Sequence, residues 1–201
     1  MTAQSLEIHR LTNQLAICHR YDPHVKADLF STAIGTPAGA LLIDPITAAA
    51  GALELVCESG RAAAIILTNE NHTRASRAIA ERFDIRIYAD PAADVADALP
   101  LAELDAGSGL EIIDVPGAPA GEVALHHAQD GGTLIVGDAL INFGSHGFDL
   151  LPAKYCANAK LMRRSLRKLL DYSFERMLFA HGTPICTSAR NRLVTLLENG
   201  P

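Results

Sequence analysis

Between residues 62 and 67 the chain reads "AAAIIL", six apolar side chains without interruption. The length suits a strand, and a strand with no polar position must be covered on both faces. The neighbouring segments say what covers it. "TAAAGALELVCES" before it and "SRAIAERF" after it have helical spacing, "IRIYAD" is a further strand, and "PAADVADAL" opens with a proline at the first turn of a predicted helix. Gly60 stands just past the end of the first of these helices, where a C-cap glycine belongs.

Strands dominate the beginning of the chain. "LEIHRL" and "QLAICHRY" show mixed alternation, and "DLFSTAIGTPAGALLIDPI" is a hairpin that turns at Thr36–Gly39. Strands return as "LEIIDVP", "GEVALHHA" and "TLIVGD", followed by a long helix in "CANAKLMRRSLRKLL", a strand in "RMLFA" and a closing helix in "TSARNRLVTLLE". Strand-rich segments followed by helices, twice over, predict two sheets packed together with helices outside. No repeat or linker divides the chain, so a single domain over residues 1–201 is expected.

Composition narrows the function. With 49% hydrophobic and 20% charged residues the chain can bury a sizeable core. A net charge of -6 leaves no basic excess to neutralise phosphates, which argues against nucleic acid and anionic membrane as partners. The densest basic stretch, "KLMRRSLRKLL", reads as the solvated face of an amphipathic helix. "MTAQSLEIHR" carries no signal-peptide pattern, and no apolar run approaches the roughly 20 residues that span a bilayer. Cys18, Cys57, Cys156 and Cys186 are scattered, without a C-x-x-C pair, which predicts neither a thiolate zinc site nor a disulfide scaffold and fits a cytoplasmic setting.

Five pieces, in order over about residues 28–185, resemble the metallo-β-lactamase superfamily. "GALLIDPI" is similar to its early strand and Asp turn. "IILTNENHTRAS" resembles the strand and loop that usually read T-H-x-H-x-D-H. "LEIIDVPGAPAGEVALHH" is similar to the segment with a histidine after Pro-Gly, "TLIVGDAL" to the strand ending in the metal-bridging Asp, and "LFAHGTPI" to the last ligand loop. The resemblance implies an α+β fold, a four-layer αβ/βα sandwich of two mixed sheets flanked by helices, with a metal site along the sheet edges.

The same resemblance implies a depleted site. The family's ligand positions fall on Asn69, Asn71, Thr73, Arg74 and Ala118, and only Asp138 and His181 match. An amide is a poor zinc ligand, and a guanidinium stays protonated with no lone pair to give. A dinuclear zinc centre is therefore not expected, and no cofactor is required. The resemblance instead suggests that Arg74 stands in for the metal and pairs with Asp138, with Asn69, Asn71, His72 and His181 around them, as a pocket for a small anionic molecule. Taken without the family, Arg74 can equally point to water, Asp138 can cap a turn, and His181 can be an ordinary loop histidine.

An alternative keeps an enzyme. His72 lies in the ligand loop, and His72, Asp138 and His181 make a His, His, carboxylate set suited to one zinc or iron. Such a protein would hydrolyse esters, thioesters or lactones. A metal-free route would use His181 as general base, oriented by Asp138, with Arg74 holding an oxyanion. The remaining histidines, His9, His19, His24, His126, His127 and His146, have no sequence spacing that suggests a cage; His126 and His127 read as surface or edge residues. Phe143, Phe148 and Tyr155 are candidate pocket-wall residues.

Overall fold

The computed structural model describes residues 6–46, 50–143 and 147–199. They form two compact units. The first takes the described residues up to Leu67 with Asn71–Pro91 and Val95–Ser108; the second takes Thr68–Glu70, Ala92–Asp94 and the described residues from Gly109 onward.

The first unit is built on a seven-stranded sheet whose strands lie in sequence order: β1 (Glu7–Arg10), β2 (Leu15–Asp22), β3 (Ala27–Thr36), β4 (Gly39–Ile43), β5 (Ala62–Ile66), β6 (Arg86–Ala89) and β7 (Leu99–Pro100). Strands β1 to β4 are antiparallel, and β4 to β7 run parallel. At the β3–β4 turn the Thr36 hydroxyl donates to the Gly39 carbonyl at 2.7 Å and accepts from the Ala38 N–H at 3.2 Å. The change to parallel pairing needs crossovers, which α1 (Ala50–Val56) and α2 (Ser76–Phe83) supply. Ile65, Ile66 and Leu67 have no exposed surface, as the uninterrupted apolar run requires.

Two helical expectations are corrected here. Of the segment beginning at Thr47, residues 47–49 lie outside the described residues, and α1 ends at Val56. Gly60, at φ +60°, closes the following turn onto the Cys57 carbonyl rather than capping the helix. "PAADVADAL" makes only a single 3-10 turn at Pro91–Ala93. Asp94 and Asp97 then adopt left-handed backbone, which an α-helix cannot contain.

The second unit contains β8 (Leu110–Asp114), β9 (Val123–His127), β10 (Thr133–Val136), the hairpin β11 (Leu140–Phe143) and β12 (Gly147–Leu150), and β13 (Arg176–Phe179). Its main sheet has the order β13-β10-β9-β8, with β10 and β13 parallel and the other pairs antiparallel. The β11–β12 hairpin is not among the strands read from the sequence; residues 144–146 lie outside the described residues.

Two helices complete this unit, α3 (Ala159–Leu166) and α4 (Ala189–Asn199). The Asn158 side chain caps α3 by accepting from the Leu161 N–H at 3.0 Å. Met162, Ser165 and Leu166 recur at helical spacing on its buried face, and Met162 and Leu166 share one core cluster with Leu134, Met177 and Leu193. The predicted long helix tightens into a 3-10 segment at Arg167–Asp171. Nor is its basic face simply solvated. Arg163 and Arg167 both donate to the Leu197 carbonyl, at 2.8 and 3.0 Å, satisfying a carbonyl at the end of α4. Among the described residues no helix is long and apolar enough to cross a membrane.

His126 and His127 are both 5% exposed, which corrects the surface assignment. His126 Nε2 lies 2.9 Å from the Ser173 carbonyl, and its ring tilts against Tyr172. Burial lowers the pKa of His127 below its ordinary 6.5, since the interior disfavours the charged ring. The unfolded chain therefore takes up the proton first as pH falls, and stability should decline from about pH 6.5 downward through the lowered folded-state value. Urea denaturation between about pH 7 and 5 should show this loss in the native chain and a shallower one in His127→Gln. A second expectation concerns Gly35, where an added Cβ would lie 1.8 Å from the Val56 carbonyl oxygen at the end of α1. Gly35→Ala should cost about 3 kcal/mol in chemical denaturation.

Candidate functional site

Asp44 organises the first unit's share of the candidate residues. It follows β4 in left-handed backbone, φ 48°, and is almost fully buried. Its carbonyl accepts from the Ser31 hydroxyl at 2.8 Å and from Arg74 Nη1 at 3.0 Å. Its carboxylate meets His72 Nδ1 at 3.0 Å, with His72 1% exposed. Ser31 in turn accepts from the Ile46 N–H at 2.8 Å, and the Ala75 N–H bonds the Pro45 carbonyl. Thus the loop after β4 and the loop after β5 are stitched together through one aspartate.

Arg74 is half-buried, and its Nη1 donates to the Phe30 carbonyl at 2.7 Å as well as to Asp44. Its φ of 34° is left-handed backbone on a non-glycine residue, held in place by these contacts and by the start of α2. Asn71 and Thr73 are exposed.

The second unit gathers Asn69, Glu122, Asp138 and His181. Asn69 is completely buried, and its Nδ2 donates to Glu122 Oε2 at 2.6 Å and to Asp138 Oδ2 at 3.1 Å. Two carboxylates facing the same amide group fix its orientation, because only the NH2 end can donate. The other Glu122 oxygen accepts from the Ala139 N–H at 2.9 Å. Gly137 leaves room for this arrangement. A Cβ there would stand 2.6 Å from the Thr68 hydroxyl and 2.9 Å from Glu122 Oε2.

His181 Nε2 lies 3.5 Å from Asp138 Oδ1. That is longer than a good hydrogen bond. It matches the ligand-to-ligand edge of a tetrahedral zinc site, about 3.4 Å for metal–ligand bonds near 2.1 Å. The loop carrying His181 is fastened. Gly182 has φ +104°, a Cβ there would meet the Asn142 carbonyl at 2.4 Å, and that carbonyl accepts from the Thr183 N–H. Asn142 Nδ2 donates back to the Thr183 carbonyl at 2.6 Å.

Of the aromatic residues singled out from the sequence, Phe143 tilts against the His181 ring at 6.4 Å. Phe148 instead packs on Phe179, and Tyr155 is 59% exposed beside Lys154. Ala118, at the position of the family's histidine, is buried in the second unit's core. Glu122 went unnoticed in the sequence. Its signal was an acidic residue at the mouth of the wholly buried β9, where no water can solvate it.

The family model described as metallo-beta-lactamase superfamily matches residues 8–199, and the chain belongs to that superfamily. No curated protein matches it significantly in sequence. Among solved structures, a metallo-beta-lactamase from Pontibacter korlensis is 17% identical, with a TM-score of 0.72 over 98% of this chain and 100% of that one. The DIM-1 metallo-beta-lactamase is 14% identical, with a TM-score of 0.72 over 96% and 97%. A metallo-beta-lactamase family protein from Thermus thermophilus is 21% identical, with a TM-score of 0.66 over 94% and 80%. The fold is therefore the metallo-β-lactamase fold, with two mixed sheets and flanking helices, as expected.

Asn69 supplies the test of the carboxylate pair. Asn69→Leu, close in volume, removes the shared donor and should destabilise the protein by about 3 kcal/mol in urea titration at neutral pH. Asn69→Asp, which adds a third carboxylate, should be less stable still.

Proposed function

We propose that this protein is a hydrolase-like member of its superfamily that has lost the two-metal centre and holds one divalent ion, zinc or iron, through His72, Asp138 and His181. Asn69 carries the proposal. At the first histidine position an amide turns its protons toward Asp138, so one oxygen of the bridging carboxylate is committed to a donor rather than to a metal. The other oxygen stands at a tetrahedral edge from His181 Nε2.

The chemistry of His72 supports its inclusion. With Nδ1 held by Asp44, the proton sits on that nitrogen and the acceptor lone pair on Nε2, the arrangement usual for a metal-ligating histidine with a carboxylate behind it. When bound, such an ion supplies Lewis acidity and a water acidified to near neutrality. The chain's residues would orient it: Asp44 fixes His72, Asn142 and Gly182 fix His181, and Phe143 offers an apolar wall. Esters, thioesters or lactones are the substrate class this suits, with the protein working in the cytoplasm on a small molecule.

A second reading is favoured by the half-buried guanidinium of Arg74, a fixed positive charge in the ligand loop. There the site is metal-free, Arg74 pairs with Asp138, and a small anion is the ligand.

Metal content separates the readings. Protein purified without chelator or metal-affinity tag should carry an ion that Asp138→Ala and His181→Ala lose while staying folded by circular dichroism. Two ions per chain dependent on Asp138 would overturn both readings. No ion dependent on Asp138 would overturn the first, and a thermal shift with anionic metabolites, abolished in Arg74→Ala, would then support the second.

A further inference from the structure

At the β1 edge of the first sheet, pairing brings together three side chains that the sequence had left apart. β1 and β2 pair antiparallel with Glu7 opposite His19, and β2 and β3 pair with His19 opposite Phe30. His9, two residues beyond Glu7, shares its face of β1. The cage dismissed on linear spacing is thus made by strand register.

The geometry is specific. His9 Nε2 and His19 Nε2 lie 3.6 and 3.5 Å from the same Glu7 oxygen, Oε2. Both separations exceed good hydrogen-bond length, and both match the tetrahedral edge of about 3.4 Å expected between zinc ligands. The ligand atoms of all three residues lie within 4.8 Å of one another. The rings are also held in place: His9 stacks on His19 at 5.5 Å and 14°, and His19 stacks on Phe30 at 4.8 Å and 17°. Side-chain exposure of 58% for Glu7, 52% for His9 and 22% for His19 leaves the outer side open to water as a further ligand.

We propose that Glu7, His9 and His19 form a second divalent-metal site of the zinc class, separate from the candidate site at Asp138. Two neutral imidazoles and one carboxylate are the donor set of open, three-ligand zinc sites. A bound ion ties edge strand β1 to β2, replacing one weak cross-strand contact with three coordinate bonds. Sheets protect their edges in many ways, and a metal clip is one that also responds to ion supply.

The test uses the full chain stripped of metal, with zinc uptake read by equilibrium dialysis. An Asp138→Ala/His181→Ala chain should still take up one zinc and gain thermal stability from it. Adding His9→Ala and His19→Ala should abolish that uptake, and Glu7→Gln alone should weaken it at least tenfold. Cobalt(II) in the Asp138→Ala/His181→Ala chain should show the intense visible absorption of a tetrahedral site. Unchanged zinc uptake on loss of His9 and His19, or no uptake in the Asp138→Ala/His181→Ala chain, would overturn the proposal. Because the Asp138 site is removed throughout, its own failure or success leaves this result unaffected.

Discussion

One buried amide holds two carboxylates together. Asn69 sits between Glu122 and Asp138, and its NH2 group is the donor they share. Two carboxylates out of water need compensation, and unpaired they would cost several kcal/mol each. That compensation has to come from donors close by. Here an uncharged side chain and the Ala139 N–H do part of that work. The surrounding backbone conforms to it, since Gly137 admits no side chain beside Glu122 and Thr68.

Asp44 has the corresponding role in the first unit. Through its carbonyl and its carboxylate it holds Ser31, Arg74 and His72, residues from β3 and from the loop after β5. Arg74, the residue that most clearly departs from the family pattern, is thereby bound to the backbone of its own unit. Its guanidinium fixes the loop whatever else it meets. These bonds give the loop after β5 a defined shape.

The fold was largely legible because its strands announce themselves by apolar runs, and because "LTNENHTRAS", "PGAPAGE" and "VGDAL" keep the family's order. What could not be read was pairing. Whether Glu7, His9 and His19 meet depends on β1–β2 register, which linear spacing does not contain. Whether His126 is buried depends on Ser173 and Tyr172, far along the chain. "PAADVADAL" looked helical because its composition is, and two aspartates in left-handed backbone broke it. Arg163 and Arg167 looked solvated because a guanidinium usually is, until the end of α4 supplied a carbonyl. The site was legible as a list of residues and illegible as a set of partners; Glu122 was the member missed.

Asp44 also limits how this lineage can drift. Its backbone needs a residue that tolerates positive φ, its carboxylate must meet His72 Nδ1, and its carbonyl must stay where Ser31 and Arg74 reach it. Glycine keeps the first and forfeits the second, glutamate keeps the charge at a strained backbone, and asparagine offers an amide that can rotate away. Each of these three replacements loses something that aspartate supplies, so the position has little room to change.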